Sequence, residues 1–317
     1  MLLRILHRTR YRYQSPIDMA QHMLHLQPRD TACQQLLSHE LRLDPEPAAR
    51  SDAVDVFGNA RTFFSLQSSH TRLTVEADSL VQTQAPQRLP EGPPWRGMGW
   101  ERVREHFRYR AQAPFDAASE FLFASPYVPR DDRFAEFARP SFQPGAPMLL
   151  AVRDLMERIH GEFTYEADST EVNTPALRAL AQRKGVCQDF AHIMIASLRS
   201  LGLPARYVSG YLLTRPPPGK PRLIGADASH AWVSVYVPAP AEDSASPGAW
   251  FDFDPTNNRC GWGSPGEDYV TLATGRDFGD VSPMRGVIQG GTHHQLTVEV
   301  TVAPPDEFAG LMAPEPA

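Results

Sequence analysis

The sequence predicts an α+β fold: a small all-β, sandwich-like domain ahead of a core of helices followed by antiparallel strands. Three observations predict it. Residues 1 to about 85 show β-type patterning, with turn residues between the runs and no convincing helix. Segments of helical spacing then follow one another from residue 147 onward. After them come strand-like segments with no helix between, which favours an antiparallel sheet over a crossover sheet.

The elements are justified in order. In the first domain, Leu41-Arg42-Leu43, Thr62 to Leu66 and Leu73 to Ala77 read as strands, and Gly58-Asn59 marks a turn between two runs. Pro86 to Gly97 reads as a linker, and Asp116 to Phe123 and Arg130 to Ala138 as helical turns. Met148, Leu149, Val152, Leu155, Met156 and Ile159 recur at helical spacing behind Pro147, a first-turn proline. Thr174-Pro175 opens a second helix, with threonine as cap and proline at the first helical position, and Gly185 ends it. A third helix starts at Cys187, with Phe190, Ala191, Met194, Ile195, Leu198 and Leu201 on its apolar face, and Gly202 closes it. Strands are expected at 205–213, 231–237, 249–253, 269–272 and 295–302. The boundaries that follow are 1–90 for the β domain, 91–147 for a linker and helical segment, 148–302 for the core with its C-terminal strands, and 303–317 for a frayed, Pro- and Ala-rich tail.

Composition bounds the function. The chain has 317 residues, 42% hydrophobic and 21% charged, which is globular and long enough for about two domains. A net charge of −6 argues against a nucleic-acid partner, which calls for a basic patch. No apolar run approaches the ~18 residues of a membrane span, and the first residues lack the apolar core and cleavage site of a secretory signal. The cytoplasm is therefore the expected compartment. Cys33, Cys187 and Cys260 are too few and too scattered for a disulfide framework or a zinc site. The 30 prolines cluster at 86–94, 126–147, 216–221, 238–247 and 304–316, which reads as linkers and stiff loops.

Chemistry concentrates in three segments. Cys187 opens a helix, where unpaired N–H groups and the macrodipole favour a thiolate. His230, in Ser229-His230-Ala231-Trp232, enters a strand 43 residues later. Trp232 follows it at same-face spacing and could shield the imidazole. Asp254, in Phe253-Asp254-Pro255-Thr256, follows 24 residues further on. A thiol, a base and an orienting carboxylate are the parts of a thiol acyl-transfer enzyme.

Each residue has a plainer reading. A lone cysteine is commonly a small buried hydrophobe, a histidine a surface or satisfied core residue, and an Asp before Pro a turn residue. Together and in this order they favour catalysis. Asp252 competes with Asp254 for the imidazole, because both point to one face of a strand; Pro255 pins the chain beside Asp254 and favours it. The Cys187 N–H is a natural oxyanion donor, and Tyr165 is a second candidate or simply a packed tyrosine. His192 lies about 140° from Cys187 around the helix and reads as a helix-fixing residue. Asp189 reads as a partner of the helix dipole, and Arg183-Lys184 as a solvated loop. His293-His294 has no carboxylate pattern beside it to suggest a metal.

These motifs resemble the transglutaminase-like superfamily. The resemblance rests on Gly185-Val186-Cys187-Gln188-Asp189-Phe190-Ala191-His192, on Gly202-Leu203-Pro204-Ala205-Arg206-Tyr207-Val208-Ser209-Gly210-Tyr211, on Ser229-His230-Ala231-Trp232 and on Phe253-Asp254-Pro255-Thr256-Asn257. Thr9 to Tyr13, Asp55 to Asn59, Gly275 to Pro283 and Arg285-Gly286-Val287 extend it to the bacterial branch with an N-terminal β region. It implies a papain-like core, a Cys187–His230–Asp254 triad, and a peptide or protein amide as substrate. Peptidase or amidase activity is the first expectation. A protein-glutamine gamma-glutamyltransferase, or a catalytically silent peptide-binding module, is the alternative. Branch members accompany peptide-ligase-like proteins, which makes such proteins implied partners. The acidic loop of the calcium-dependent animal enzymes has no counterpart here, so neither a metal nor another cofactor is implied.

Overall fold

The computed structural model describes residues 1–89, 98–112, 114–166, 174–214, 229–239, 248–290 and 293–311. The proline-rich stretches at 90–97, 215–228, 240–247 and 312–317 lie outside the described residues. Strands β1 (Leu2–Leu24), β2 (Gln34–Asp44), β3 (Ala49–Val54), β4 (Ala60–Leu66) and β5 (His70–Thr83) form the N-terminal region. Then come α1 (Trp100–His106), a 3-10 turn (Ala117–Leu122), α2 (Asp132–Ala138), α3 (Met148–Glu162), β6 (Thr164–Tyr165), α4 (Ala176–Gln182), β7 (Lys184–Gly185) and α5 (Cys187–Ser200). The chain continues through β8 (Ala205–Leu212), β9 (Ser229–Val237), β10 (Ala249–Asp254), β11 (Arg259–Trp262), β12 (Tyr269–Gly275), α6 (Phe278–Val281), β13 (Met284–Gly290), β14 (His294–Ala303) and α7 (Pro305–Leu311). No described helix is long and apolar enough to cross a membrane.

The N-terminal sheet is organised by β1, which holds different partners along its length. Its first half lies between β5 and β14, and its second half between β4 and β13, all antiparallel. The register against β5 breaks between Arg12 and Ile17. Pro16 lies in that break and has no N–H to give a ladder. The apolar residues of β1 divide accordingly. Ile17, Ala20 and Leu24 pack with Phe64, Leu73 and Val75 inside the N-terminal region. Leu3 and Ile5 pack with Val300, Val302 and the core residues Tyr211, Val270 and Leu272.

The core sheet runs β11-β10-β9-β8-β12, every neighbour antiparallel. Alternation sorts its residues. Ala231, Val233, Val235, Phe251 and Phe253 join the apolar cluster around α5, while Trp232, Ser234, Asp252 and Asp254 take the other parity. Helix α5 is buried along most of its length, as befits a helix wrapped by α2, α3, α4 and the sheet.

Two amide side chains of the N-terminal region complete β12. Gln34 donates to the Thr271 carbonyl at 2.8 Å and accepts from the Thr271 N–H at 2.7 Å. Asn59 does the same with Thr274, at 2.8 Å both ways. Each amide supplies one donor and one acceptor, as a neighbouring strand would. The left-handed φ of +80° at Gly58 makes the turn that delivers Asn59.

The helical turns expected at 116–123 and 130–138 are present as the 3-10 turn and α2, and the segment from 98 on contributes Trp100, Val103, Phe134 and Phe137 to the α5 cluster. Two expectations are corrected. The strand at 295–302 was expected with the core, but as β14 it pairs with β1, as does the unforeseen β13, because β1 presents two open edges that β4 and β5 only partly cover. Part of the tail read as frayed is α7, held by Phe308, which is 1% exposed against Leu6 and Ala303. At finer scale, α4 begins at Ala176 and is terminated by Arg183 in the left-handed region, φ 55°, rather than by Gly185.

Candidate active site

Gly185 has a tighter duty than ending a helix. The Asp189 carboxylate folds back to accept the Val186 N–H at 2.9 Å, which fixes the first turn of α5 and with it Cys187. A Cβ at Gly185 would lie 2.6 Å from that carboxylate. His192 is buried and accepts the Phe278 N–H through Nε2 at 3.2 Å, tying α5 to α6. Burial, with the nearby Arg199 charge, pulls its pKa down to about 3, so the ring is a neutral acceptor. Arg183 lies over the Phe137 and Phe163 rings at 4.4 and 4.8 Å, and Lys184 pairs with Glu166 at 3.1 Å.

The structure brings Cys187, His230 and Asp254 together. The His230 Nε2–H donates to Asp254 Oδ2 at 2.7 Å. The Cys187 side chain lies close enough to act on the His230 ring. With Nε2 given to Asp254, Nδ1 is the nitrogen left for the thiol. Burial pushes the His230 pKa down, but the bond to Asp254, the nearby Cys187 and the negative charge of both outweigh it and raise the pKa to about 10. Asp254 is fully buried, which alone would raise its pKa. The bond from His230, the imidazolium charge, and donors on Tyr269 and Asn257 reverse that and hold it below the usual carboxylate value.

Asp254 rather than Asp252 meets the imidazole, because the two occupy different depths of one strand. Asp252, two residues earlier, accepts the Trp232 indole N–H at 3.1 Å. Its burial pushes the pKa up to about 6 against the opposing pull of Arg206. Trp232 is fully buried, stacks on His230 with centroids 6.2 Å apart and planes at 28°, and meets Tyr269 edge-on. Gly210 makes room for it: a Cβ there would lie 2.5 Å from the indole.

Two residues around Asp254 escaped sequence reasoning. The Tyr269 hydroxyl donates to Asp254 Oδ2 at 2.6 Å, and Asn257 Nδ2 donates to the same oxygen at 2.7 Å. The Thr256 N–H reaches Oδ1 at 2.8 Å. Asn257 was within reach as part of the Asp254-Pro255-Thr256-Asn257 turn. Tyr269 carried no local signal, since it arrives from β12, three strands away in the sheet. Tyr165 stands 55% exposed, edge-on to Phe190, on β6, which pairs with Gly185 of β7. Burial, with the nearby Cys187 charge, raises its pKa. Among the described residues, no group of three His, Cys, Asp or Glu side chains converges as a metal would need.

Comparison with known proteins agrees with this architecture. Residues 3–82 match the bacterial transglutaminase-like N-terminal region, and residues 135–255 match the transglutaminase-like superfamily core. An uncharacterized protein of Mycobacterium tuberculosis is 39% identical over 307 residues, 95% of this chain and 92% of its own length. One from Mycobacterium leprae is 31% identical over 308 residues, 94% of this chain and 98% of its own. The crystal structure of a candidate cysteine protease from Cytophaga hutchinsonii shares the fold, with a TM-score of 0.69 at 22% identity, covering 96% of this chain and 91% of that one. The chain belongs to the transglutaminase-like superfamily, in the bacterial branch that carries this N-terminal region.

Proposed function

We propose that this protein is a thiol-dependent acyl-transfer enzyme that cleaves amide or isopeptide bonds as a peptidase or amidase. The observation that carries the reading is His230, bonded to a buried Asp254 and neighbouring the Cys187 side chain. The Cys187 thiolate attacks the amide carbonyl carbon, and a tetrahedral oxyanion forms. The Cys187 N–H, in the first turn of α5 where no helical carbonyl precedes it, and the Tyr165 hydroxyl are its proposed donors. The imidazolium of His230 gives its proton to the departing nitrogen as the C–N bond breaks, leaving a thioester on Cys187. Water then attacks the thioester, yields a proton to His230, and the acid departs with the thiolate restored. Asp254 holds the tautomer and the charge of His230. Tyr269 and Asn257 hold Asp254.

Water as acceptor suits a site whose rim is open. Cys187 is partly exposed and Tyr165 beside it more so. The three cysteines are free thiols, consistent with a reducing cytoplasm.

The test combines alkylation with trapping. Iodoacetamide labelling of Cys187 at pH 7 is expected to be faster in the wild type than in His230→Ala. A panel of peptide amides should leave an acyl adduct on Cys187, seen by intact mass and released by hydroxylamine. Labelling unchanged by His230→Ala, with no adduct from any amide, would leave the chain as a binding module. An adduct that partitions to an added primary amine in preference to water would make it a transamidase.

A further inference from the structure

Between the N-terminal region and the core lies a cavity, about 1060 Å³ in volume, lined by neither Cys187 nor His230 nor Asp254. Tyr236 and Trp250 line it at the opposite ends of β9 and β10 from the catalytic pair. Six residues of strand separate Tyr236 from His230, which puts the two about 20 Å apart. The cavity belongs to a different face of the molecule from the thiol.

Its walls combine aromatic surface with the cations Arg206 and Arg61, and Arg206 also faces the buried Asp252 carboxylate. Trp250 meets Phe121 edge-on at 5.3 Å and Tyr236 at 5.1 Å. Arg206 lies over Trp250, its guanidinium carbon 4.0 Å from the ring centroid. The Arg206 Nε is buried with no hydrogen-bond partner among the described residues. Arg61 lines the same space and, among the described residues, makes no ion pair. The acidic wall residues are mostly engaged: Asp280 with Arg276 at 2.9 Å, Asp116 capping Ala118 and meeting His106, and Asp55 holding Asn59. The mouth is apolar, with Val56 91% and Phe115 76% exposed.

We propose that this cavity is a binding site for a monoanionic, peptide-like ligand: one carboxylate on an aromatic or branched apolar body. The carboxylate sits on Arg206, whose planar fork matches it, and Arg61 draws it in. The apolar body lies against Trp250 and Phe121. Engaged carboxylates of Asp55, Asp116 and Asp280 in the same walls repel a second negative charge, which selects a carboxylate over a phosphate dianion.

Titration calorimetry on the full chain, with Cys187 alkylated to close the catalytic site, tests this. The probes are N-acetylphenylalanine, its amide and inorganic phosphate. The acid is expected to bind at least tenfold more tightly than the amide and to quench tryptophan fluorescence. Trp250→Phe should abolish the quenching, and Arg206→Gln should erase the preference for the acid. Arg61→Gln should weaken binding several-fold, which keeps the test independent of whether Arg206→Gln folds. Equal binding of acid and amide, no binding at millimolar concentration, displacement of the acid by phosphate, or affinity indifferent to both Trp250→Phe and Arg61→Gln would each overturn the proposal.

Discussion

His230 Nε2 and Asp254 Oδ2 lie 2.7 Å apart, with their side chains 9% and 0% exposed. Such a pair links protonation to stability. The His230 pKa rises from 6.5 to about 10 on folding, so its contribution is fully present below pH 6.5 and is lost as pH climbs through about 10. Asp254 is held below its ordinary 3.8, so its contribution is full above that value and is lost as pH falls through its lowered pKa. The stability gap between wild type and His230→Gln should be widest between roughly pH 4 and 6.5 and should narrow on either side. Urea unfolding at pH 3, 5.5 and 9.5 checks this, and a gap independent of pH would contradict it.

The two aspartates of β10 predict opposite outcomes. Asp254→Asn removes the charge that holds the imidazolium, and turnover in the proposed amidase reaction should fall on the order of 10³-fold or more with little change in substrate affinity. Asp252→Asn keeps an acceptor for the Trp232 indole but removes the charge facing Arg206. Burial holds the Asp252 carboxyl up at about 6 despite Arg206, so its ionised form is disfavoured in the folded protein, and stability at pH 7 should be unchanged or higher in this variant. Activity of the folded protein should stay within several-fold of wild type. Measuring kcat and denaturant midpoint on both variants separates the roles.

What the sequence revealed was local. Cys187 at a helix start, His230 at a strand entry and Asp254 before a proline each leave a signature within a few residues. The spacing of α3 and α5 is likewise written in their apolar residues. What it concealed was pairing at a distance. Residues 295 to 302 alternate as any strand would, and nothing in that pattern says that the partner is β1, nearly 300 residues away. Gly185 looked like a helix terminator because its real constraint, the Asp189 carboxylate, exists only once α5 has formed. Tyr269 looked like an ordinary strand residue because its partner lies on a strand with which β12 makes no ladder.

Tyr269 is the residue where that distance matters most for function. Removing its hydroxyl leaves Asp254 Oδ2 with His230 and Asn257 as donors. A hydrogen bond to a charged, buried group contributes ~1.5–3 kcal/mol. Tyr269→Phe should therefore lower kcat by about ten- to a hundredfold, and Asp254 should titrate at higher pH. The acid limb of the kcat profile should move upward in the variant. A fall in kcat with the limb unmoved would reduce Tyr269 to a packing role.

The N-terminal region should then be felt at the catalytic site through β12. Asn59 is fully buried and holds both the N–H and the carbonyl of Thr274, on the strand that carries Tyr269. Asn59→Ala strands two buried backbone groups, an expected cost of about 2–5 kcal/mol. Gln34→Ala does the same to Thr271, two residues from Tyr269. Because the loosened strand supplies a donor to Asp254, both variants should lose kcat as well as stability, while Cys187 stays accessible to iodoacetamide. A surface change in the same region, such as Ala53→Ser on exposed β3, touches no β12 contact and should leave kcat unchanged. Hydrogen exchange at Val270 to Thr274 locates the effect: faster exchange in Asn59→Ala together with reduced kcat supports the coupling, and faster exchange with full kcat makes the two domains independent in function.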